Sequence, residues 1–348
     1  MENVSHGYPN CAACHVSPSG GGLLTDYGRS LSKELMSTWS LGMSEDPFFG
    51  LVKNTENIKL GGDVRTIQTY LENENVKQGK YFLMQSNLEL GLTYGGLWAI
   101  GTVGTKEGPN ETEDKGTFLS ERHYLMLELS EDSRVRAGKF RQTFGLNDPN
   151  HTRVTKAFTG FGLNTETYNL EVFKAWETHE VTFSSSLGRL DIPRDESSER
   201  NFSLTFAHYL GGSSKLGTSY LIGESDLQRR SLADLFGAIS FLERGIWKFD
   251  LVYEQSTPES DHDTKDKQLA TFTSLGYQVA KGLTPYLVYE FVQTDLDEVD
   301  SKQYRPGVGF QWLPFPHFEI QSEYKYQTVE SDKGNPNHVG WILFHLYI

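Results

Sequence analysis

Trp247-Lys248-Phe249-Asp250-Leu251-Val252-Tyr253-Glu254 carries a large apolar side chain at every odd position and a charged one at three of the four even positions. Strict period-two alternation marks a strand with two unlike faces. The pattern recurs at Phe318, Ile320, Tyr324 and Tyr326, which alternate with Glu319, Gln321, Glu323 and Lys325. It recurs again at Phe82, Met84, Leu88, Leu90, Leu92 and Tyr94, interleaved with Gln85, Asn87, Glu89 and Thr93. No helical stretch or second apolar layer accompanies these strands to cover their apolar face, so that face points outward.

Dividing the chain at its Gly, Asn, Asp and Pro clusters predicts sixteen strands. They lie near 57–71, 80–94, 96–105, 117–130, 133–145, 166–176, 178–188, 200–210, 213–224, 229–242, 245–255, 267–279, 282–294, 302–313, 316–328 and 338–348. Every second connection is tight, as at Gly95-Gly96, Glu131-Asp132, Glu177-Thr178, Gly211-Gly212, Arg244-Gly245, Lys281-Gly282 and Pro314-Phe315-Pro316. The others are mostly longer and acidic, at 106–116, 145–166, 191–199, 257–266 and 295–301. An even strand number with short turns at one rim and long loops at the other describes an all-β, antiparallel outer-membrane barrel of the porin-like kind. The soluble alternative is a large β-sandwich or a propeller; a propeller would show blade repeats, and none is apparent. The last strand, Gly340 to Ile348, resembles the C-terminal signal by which outer-membrane proteins are recognised for insertion, with Tyr347 one place short of the usual terminal aromatic.

Composition agrees. Of 348 residues only 37% are hydrophobic, yet 13% are aromatic and 34 are Gly, a balance foreign to a soluble core but natural to an alternating wall. No stretch approaches the roughly 18 apolar residues of a membrane helix. The net charge of −14 argues against a nucleic-acid partner, whose phosphates demand a basic face.

The two cysteines stand together in Cys11-Ala12-Ala13-Cys14-His15, the spacing of c-type haem attachment. Two thioethers need thiols on one short turn, and the adjacent imidazole is then held beneath the ring as an iron ligand. A zinc knuckle would want further Cys or His at matching spacing, and a redox pair would want a βαβ context. Such attachment occurs outside the cytoplasmic membrane. The opening Met1-Glu2-Asn3-Val4 has neither a basic nor an apolar leader region, so the chain reads as a mature form.

Residues 1–56 form a haem-binding segment and linker, and 57–348 the barrel. A helix is expected from about Thr25 to Met36, capped by Thr25 and weakened at Gly28. A segment this small with so few aliphatics cannot bury a porphyrin by itself. The barrel lumen is therefore the expected shelter.

A haem motif in a short tail, flanked by Tyr8-Pro9 and Gly20-Gly21-Gly22 and followed by a sixteen-stranded barrel, resembles the fused monohaem cytochrome-porins of the outer membrane, best known as iron oxidases. The resemblance implies one haem c held by Cys11 and Cys14, with His15 as proximal ligand. It also implies electron transfer between an extracellular metal ion (Fe²⁺ among the candidates) or redox partner and a periplasmic cytochrome or other carrier, across outer-membrane lipid. Two readings of another class stay open: a transport porin whose haem-bearing tail is a plug or redox gate, and a peroxidase-like enzyme with an open iron position.

The third outer loop, 145–166, is placed to fold into the lumen, so its His151 is a candidate distal ligand beside His6, Met36, Met43 or none. Arg141 and Arg153 are candidate partners for the haem propionates. Lumen-facing charges are expected at Asp63, Glu89, Glu171, Asp234, Lys248, Asp250, Glu254, Glu290 and Glu323 among others. The acidic loops around Glu259–Asp263 and Asp295–Glu298 offer oxygen ligands to cations.

Overall fold

The computed structural model describes residue 4 and residues 6–108, 118–162, 165–190, 198–261 and 263–348. Its strands are β1 (Ile58–Glu72), β2 (Lys77–Tyr94), β3 (Leu97–Lys106), β4 (His123–Ser130), β5 (Ser133–Arg141), β6 (Glu166–Ala175), β7 (His179–Ser186) and β8 (Arg200–Leu210). They continue as β9 (Ser214–Glu224), β10 (Gln228–Phe241), β11 (Gly245–Pro258), β12 (Asp266–Tyr277), β13 (Leu283–Gln293), β14 (Lys302–Phe315), β15 (Phe318–Val329) and β16 (Asn337–Tyr347). Each pairs antiparallel with its sequence neighbours, and β16 closes on β1, with Asp63 opposite Tyr347 and Glu72 opposite His338. The result is a closed sixteen-stranded barrel without a free edge.

The wall is inside out relative to a soluble protein. On β8, Phe202, Leu204 and Phe206 are exposed while Ser203, Thr205 and Ala207 are buried. On β11, Trp247 and Leu251 face outward and Lys248, Asp250, Val252 and Glu254 are buried inward. Such a belt is stable against hydrocarbon and unstable against water, which places the barrel in a bacterial outer membrane. The tight turns share a rim with the start of β1 and the C-terminus, where the Ile348 N–H donates to the Gly62 carbonyl (2.8 Å). Short turns mark that rim as periplasmic.

Three expectations shift. A bulge in β2, where Arg65 opposes Gln85 but Thr66 opposes Leu83, moves the alternation by one residue. Tyr81, 64% exposed, therefore takes the outward position expected of Phe82. Strand β4 begins at His123 rather than 117, and part of the preceding loop lies outside the described residues. Strand β5 stops at Arg141 instead of 145, because Gln142 turns inward and donates to Asn201 Oδ1 (2.7 Å) and Ser203 Oγ (3.0 Å).

The expected tail helix is divided. Thr25 Oγ1 accepts from the Gly28 N–H (3.0 Å) and caps α1 (Asp26–Leu31), after which Ser32–Met36 winds as a wider π-type turn. Arg29 of α1 is buried at the barrel seam, where its Nη2 donates to the carbonyls of Leu60 (2.6 Å) and Ile348 (3.3 Å).

Candidate functional site

The tail enters the bore from the periplasmic rim. Cys11–Ala13 form a single 3₁₀ turn, capped by Asn10, whose Oδ1 accepts from the Ala13 N–H (3.2 Å). The N–H groups of Cys14 and His15 both donate to the Cys11 carbonyl (3.2 and 3.0 Å). The chain then folds back on itself, with Val16 N–H donating to the Leu23 carbonyl (3.0 Å) and Thr25 N–H to the Cys14 carbonyl (2.9 Å). The reversal runs through Gly20, Gly21 and Gly22, all with φ between +65° and +78°, a region that favours glycine. Gly22 is also crowded, since a Cβ there would lie 2.7 Å from Glu89 Oε2 of β2.

Wall residues grip this hairpin. Arg136 on β5 donates from Nη1 to Ser17 Oγ and from Nη2 to Ser19 Oγ, both at 2.8 Å. The same guanidinium pairs with buried Glu171 of β6 (2.6 Å) and lies over the Phe140 ring (3.9 Å to its centroid). Val16 and Leu23 join Trp98, Ile100, Tyr124, Met126 and Phe140 in an apolar cluster. At the other end of the tail, Val4 is fully buried against Ala207, Phe236, Ala238, Ile246, Phe272 and Val288, inward positions on β8 and β10–β13. The tail thus spans the bore from the β2–β5 wall to the β8–β13 wall.

The third outer loop, residues 142–165, folds into the same lumen. The Gly145 N–H donates to Ser219 Oγ (3.0 Å), and the Leu146 N–H donates to Asp250 Oδ1 (3.1 Å). Asn147 Nδ2 approaches Cys11 Sγ (3.9 Å), and Leu146 packs with Val4, so loop and tail meet. Beyond Asn147 the loop holds the opposite wall. Asp148 pairs with Lys248 (3.1 Å), and Arg153 Nη1 with Glu290 (3.2 Å) and Glu323 (2.8 Å). A small cleft of mixed character remains beside it, lined by Asp148, Arg153, Ile246, Lys248, Tyr286 and Gln311.

Of the residues singled out from sequence, Cys11, Cys14 and His15 lie on one turn within the bore. Both thiols are free, and burial pushes that of Cys14 up. His15 lies beside the Gly21 and Gly22 backbone; burial, reinforced by nearby positive charge including Arg122, pushes its imidazole down to about 4. Its Nδ1 is buried without a hydrogen-bond partner among the described residues. His151 stands among Arg141, Arg65, Glu166 and Lys106, and burial pushes its imidazole, too, down to about 4. Arg141 pairs with Glu166 (3.1 Å) and Arg153 with the wall carboxylates, so both guanidinia are engaged by protein carboxylates. Met36 and Met43 lie near the periplasmic rim, where the Met36 carbonyl borders Gly282 and the Met43 N–H donates to the Ser40 carbonyl (3.0 Å). Part of the acidic loop at Glu259–Asp263, including His262, lies outside the described residues.

The residues present fit a c-type haem by donor chemistry: two free thiols on one turn and an adjacent imidazole with an orphaned, buried nitrogen. They do not converge as a zinc cage, since among the described residues no three of His, Cys, Asp and Glu are so grouped. The face of the turn bearing Cys11, Ala12 and Ala13 is half-exposed, and Tyr8 and Tyr27 join hydroxyl to hydroxyl beside it.

Sequence reasoning missed the clamp of Arg136 on Ser17 and Ser19. It also missed the landing patch for Val4, although Phe236, Ile246 and Phe272 are apolar residues on faces that should be wet, a readable break in the pattern.

No family model matches the sequence, and no curated protein matches it. Solved structures do match in fold. The outer-membrane-expressed OmpT of Vibrio cholerae aligns with a TM-score of 0.66 at 13% identity, covering 85% of this chain and 100% of that one. The anion-selective porin from Comamonas acidovorans gives 0.65 at 14% identity, covering 84% and 99%. The outer membrane channel DcaP of Acinetobacter baumannii gives 0.63 at 13% identity, covering 85% and 99%. At these identities the likeness is one of fold: this chain is built as an outer-membrane porin barrel.

Proposed function

We propose that this chain is a transport porin closed by its own N-terminal segment, where Cys11 and Cys14 would hold one haem c and His15 would ligate its iron, so that the plug is a redox-responsive gate. The observation that carries the reading is the path of the tail, held by Arg136 at one wall and by the Val4 patch at the other. The fold neighbours favour passage of solute as the barrel's task, and two of them are described as a channel and an anion-selective porin. When bound, the haem supplies a one-electron centre. The protein's own part is to hold the attachment turn still, keep bulk water from His15 and join the turn to the wall through Ser17 and Ser19.

Planar-bilayer conductance of the full chain, clamped first oxidising and then reducing, tests this reading. Low conductance in one redox state and discrete openings in the other support it; the same steady open-channel conductance in both defeats it.

A second reading, electron transfer between an extracellular donor or acceptor and a periplasmic carrier, is favoured by a different observation. The half-exposed side of the Cys11 turn and the exposed Tyr27 ring leave an approach to the cofactor position. Reduction of a dye sealed inside vesicles by an external donor, without solute leakage, would select it over the gate.

A further inference from the structure

The tail does not simply leave the bore and begin the barrel; it first climbs over the rim. The Thr38 N–H donates to the Leu313 carbonyl (2.8 Å) and the Trp39 N–H to the Pro314 carbonyl (2.9 Å), at the periplasmic end of β14. Thr38 Oγ1 donates to the Lys281 carbonyl (2.7 Å) in the turn before β13, and it accepts from Trp312 Nε1 (3.1 Å). Trp312 belongs to the outward face of β14, opposite Leu283 and Ile320 and in phase with exposed Val308. Trp39 rests edge-on against it, ring centroids 5.9 Å apart. The chain has therefore passed from the lumen to the lipid side of the wall between Met36 and Trp39.

A compact turn follows. The Met43 N–H donates to the Ser40 carbonyl (3.0 Å), and Leu41 and Gly42 take φ of 51° and 66°. A leucine held at positive φ is costly, and the backbone here presents its side chain outward. Trp39 is 51% and Leu41 66% exposed. The tail then returns under the rim, where His317 Nε2 meets the Ser44 carbonyl (2.8 Å).

We infer that Trp39 and Leu41 form an interfacial anchor, seated in the periplasmic leaflet of the outer membrane. The occupant follows from continuity: the exposed pair extends the lipid-facing surface of β14 at the depth where aromatic rings favour the headgroup boundary. An indole with one edge on Trp312 and the other toward lipid gains burial that water would not give it. The anchor holds the C-terminal end of the tail segment to the bilayer while Arg136 holds the hairpin, and it does not depend on any cofactor.

The test uses the full chain in phospholipid vesicles. Tryptophan fluorescence is compared between the wild type and Trp39→Phe, the difference being the Trp39 signal among the six tryptophans. That signal should be quenched several-fold more by lipids brominated near the headgroup than by aqueous acrylamide. Leu41→Asp, which leaves the other tryptophans in place, should shift the Trp39 signal toward acrylamide. A Trp39 signal quenched by acrylamide and indifferent to brominated lipid overturns the anchor. A signal protected from both quenchers also overturns it, since it would mean that protein covers the turn instead.

Discussion

Arg136 of the barrel wall donates directly to Ser17 of the tail across 2.8 Å, in a site where the guanidinium is already paired with buried Glu171. This joins the hairpin of residues 16–23 to the wall through a charge that is fixed independently of it. A guanidinium so held is a preorganised donor, and the serine pays only its own ordering.

Replacing Ser17 and Ser19 together by alanine removes two charge-assisted hydrogen bonds while leaving the Arg136–Glu171 pair in place. The hairpin should lose about 3–6 kcal/mol of docking energy, with the barrel itself unaffected. Hydrogen exchange is expected to rise across residues 14–24 and stay unchanged in β5 and β6. Equal loss of protection in both would place the hairpin and wall in one cooperative unit.

Gly28 sits where α1 crosses the attachment turn, and a Cβ there would stand 2.3 Å from the Cys14 carbonyl oxygen. Gly28→Ala must push the helix off the turn. Alanine is otherwise the better helix former by about 1 kcal/mol, so a purely helical effect would be stabilising. The predicted outcome is the opposite, namely exposure of Cys14, read as faster reaction with a thiol reagent in protein purified without haem.

The loop that carries His151 should respond to acid. Its imidazole is pushed from 6.5 down to about 4 by burial, with nearby Arg141 and Arg65 adding to the effect. A loop released into water binds the proton more readily than the docked loop, so docking is favoured above about pH 6.5 and weakens progressively as pH falls toward 4. Protease cleavage or exchange within residues 146–156 should therefore increase between pH 7 and pH 5. His151→Gln should flatten that dependence, and a dependence that survives the substitution assigns the titration elsewhere.

The barrel was readable because a membrane wall writes its two solvents into the sequence residue by residue. Trp247 to Glu254 alone states which face is wet, and the Gly95-Gly96 and Gly211-Gly212 turns state which rim is short. Where reading failed, a local device broke the period. The extra residue in β2 turned Phe82 away from the lipid face, and Gln142 left the wall for partners on β8. The Cys11-to-His15 spacing was legible as a candidate for covalent attachment. What holds the tail was not: Arg136, Ser17 and Ser19 meet only because closure brings β5 over the tail, a separation of more than a hundred residues that leaves no local trace. The docking of the third loop on the far wall through the Arg153 ion pairs is likewise something alternation does not report.

A haem held on a plug within the bore is put to the test by the intact mass and alkaline-pyridine absorption spectrum of the denatured, purified chain expressed with its maturation machinery. The expected result is a mass greater than the polypeptide by one haem, a c-type absorption band, and no reaction of Cys11 or Cys14 with a thiol reagent. A polypeptide of unmodified mass with two reactive thiols and no haem band would contradict it.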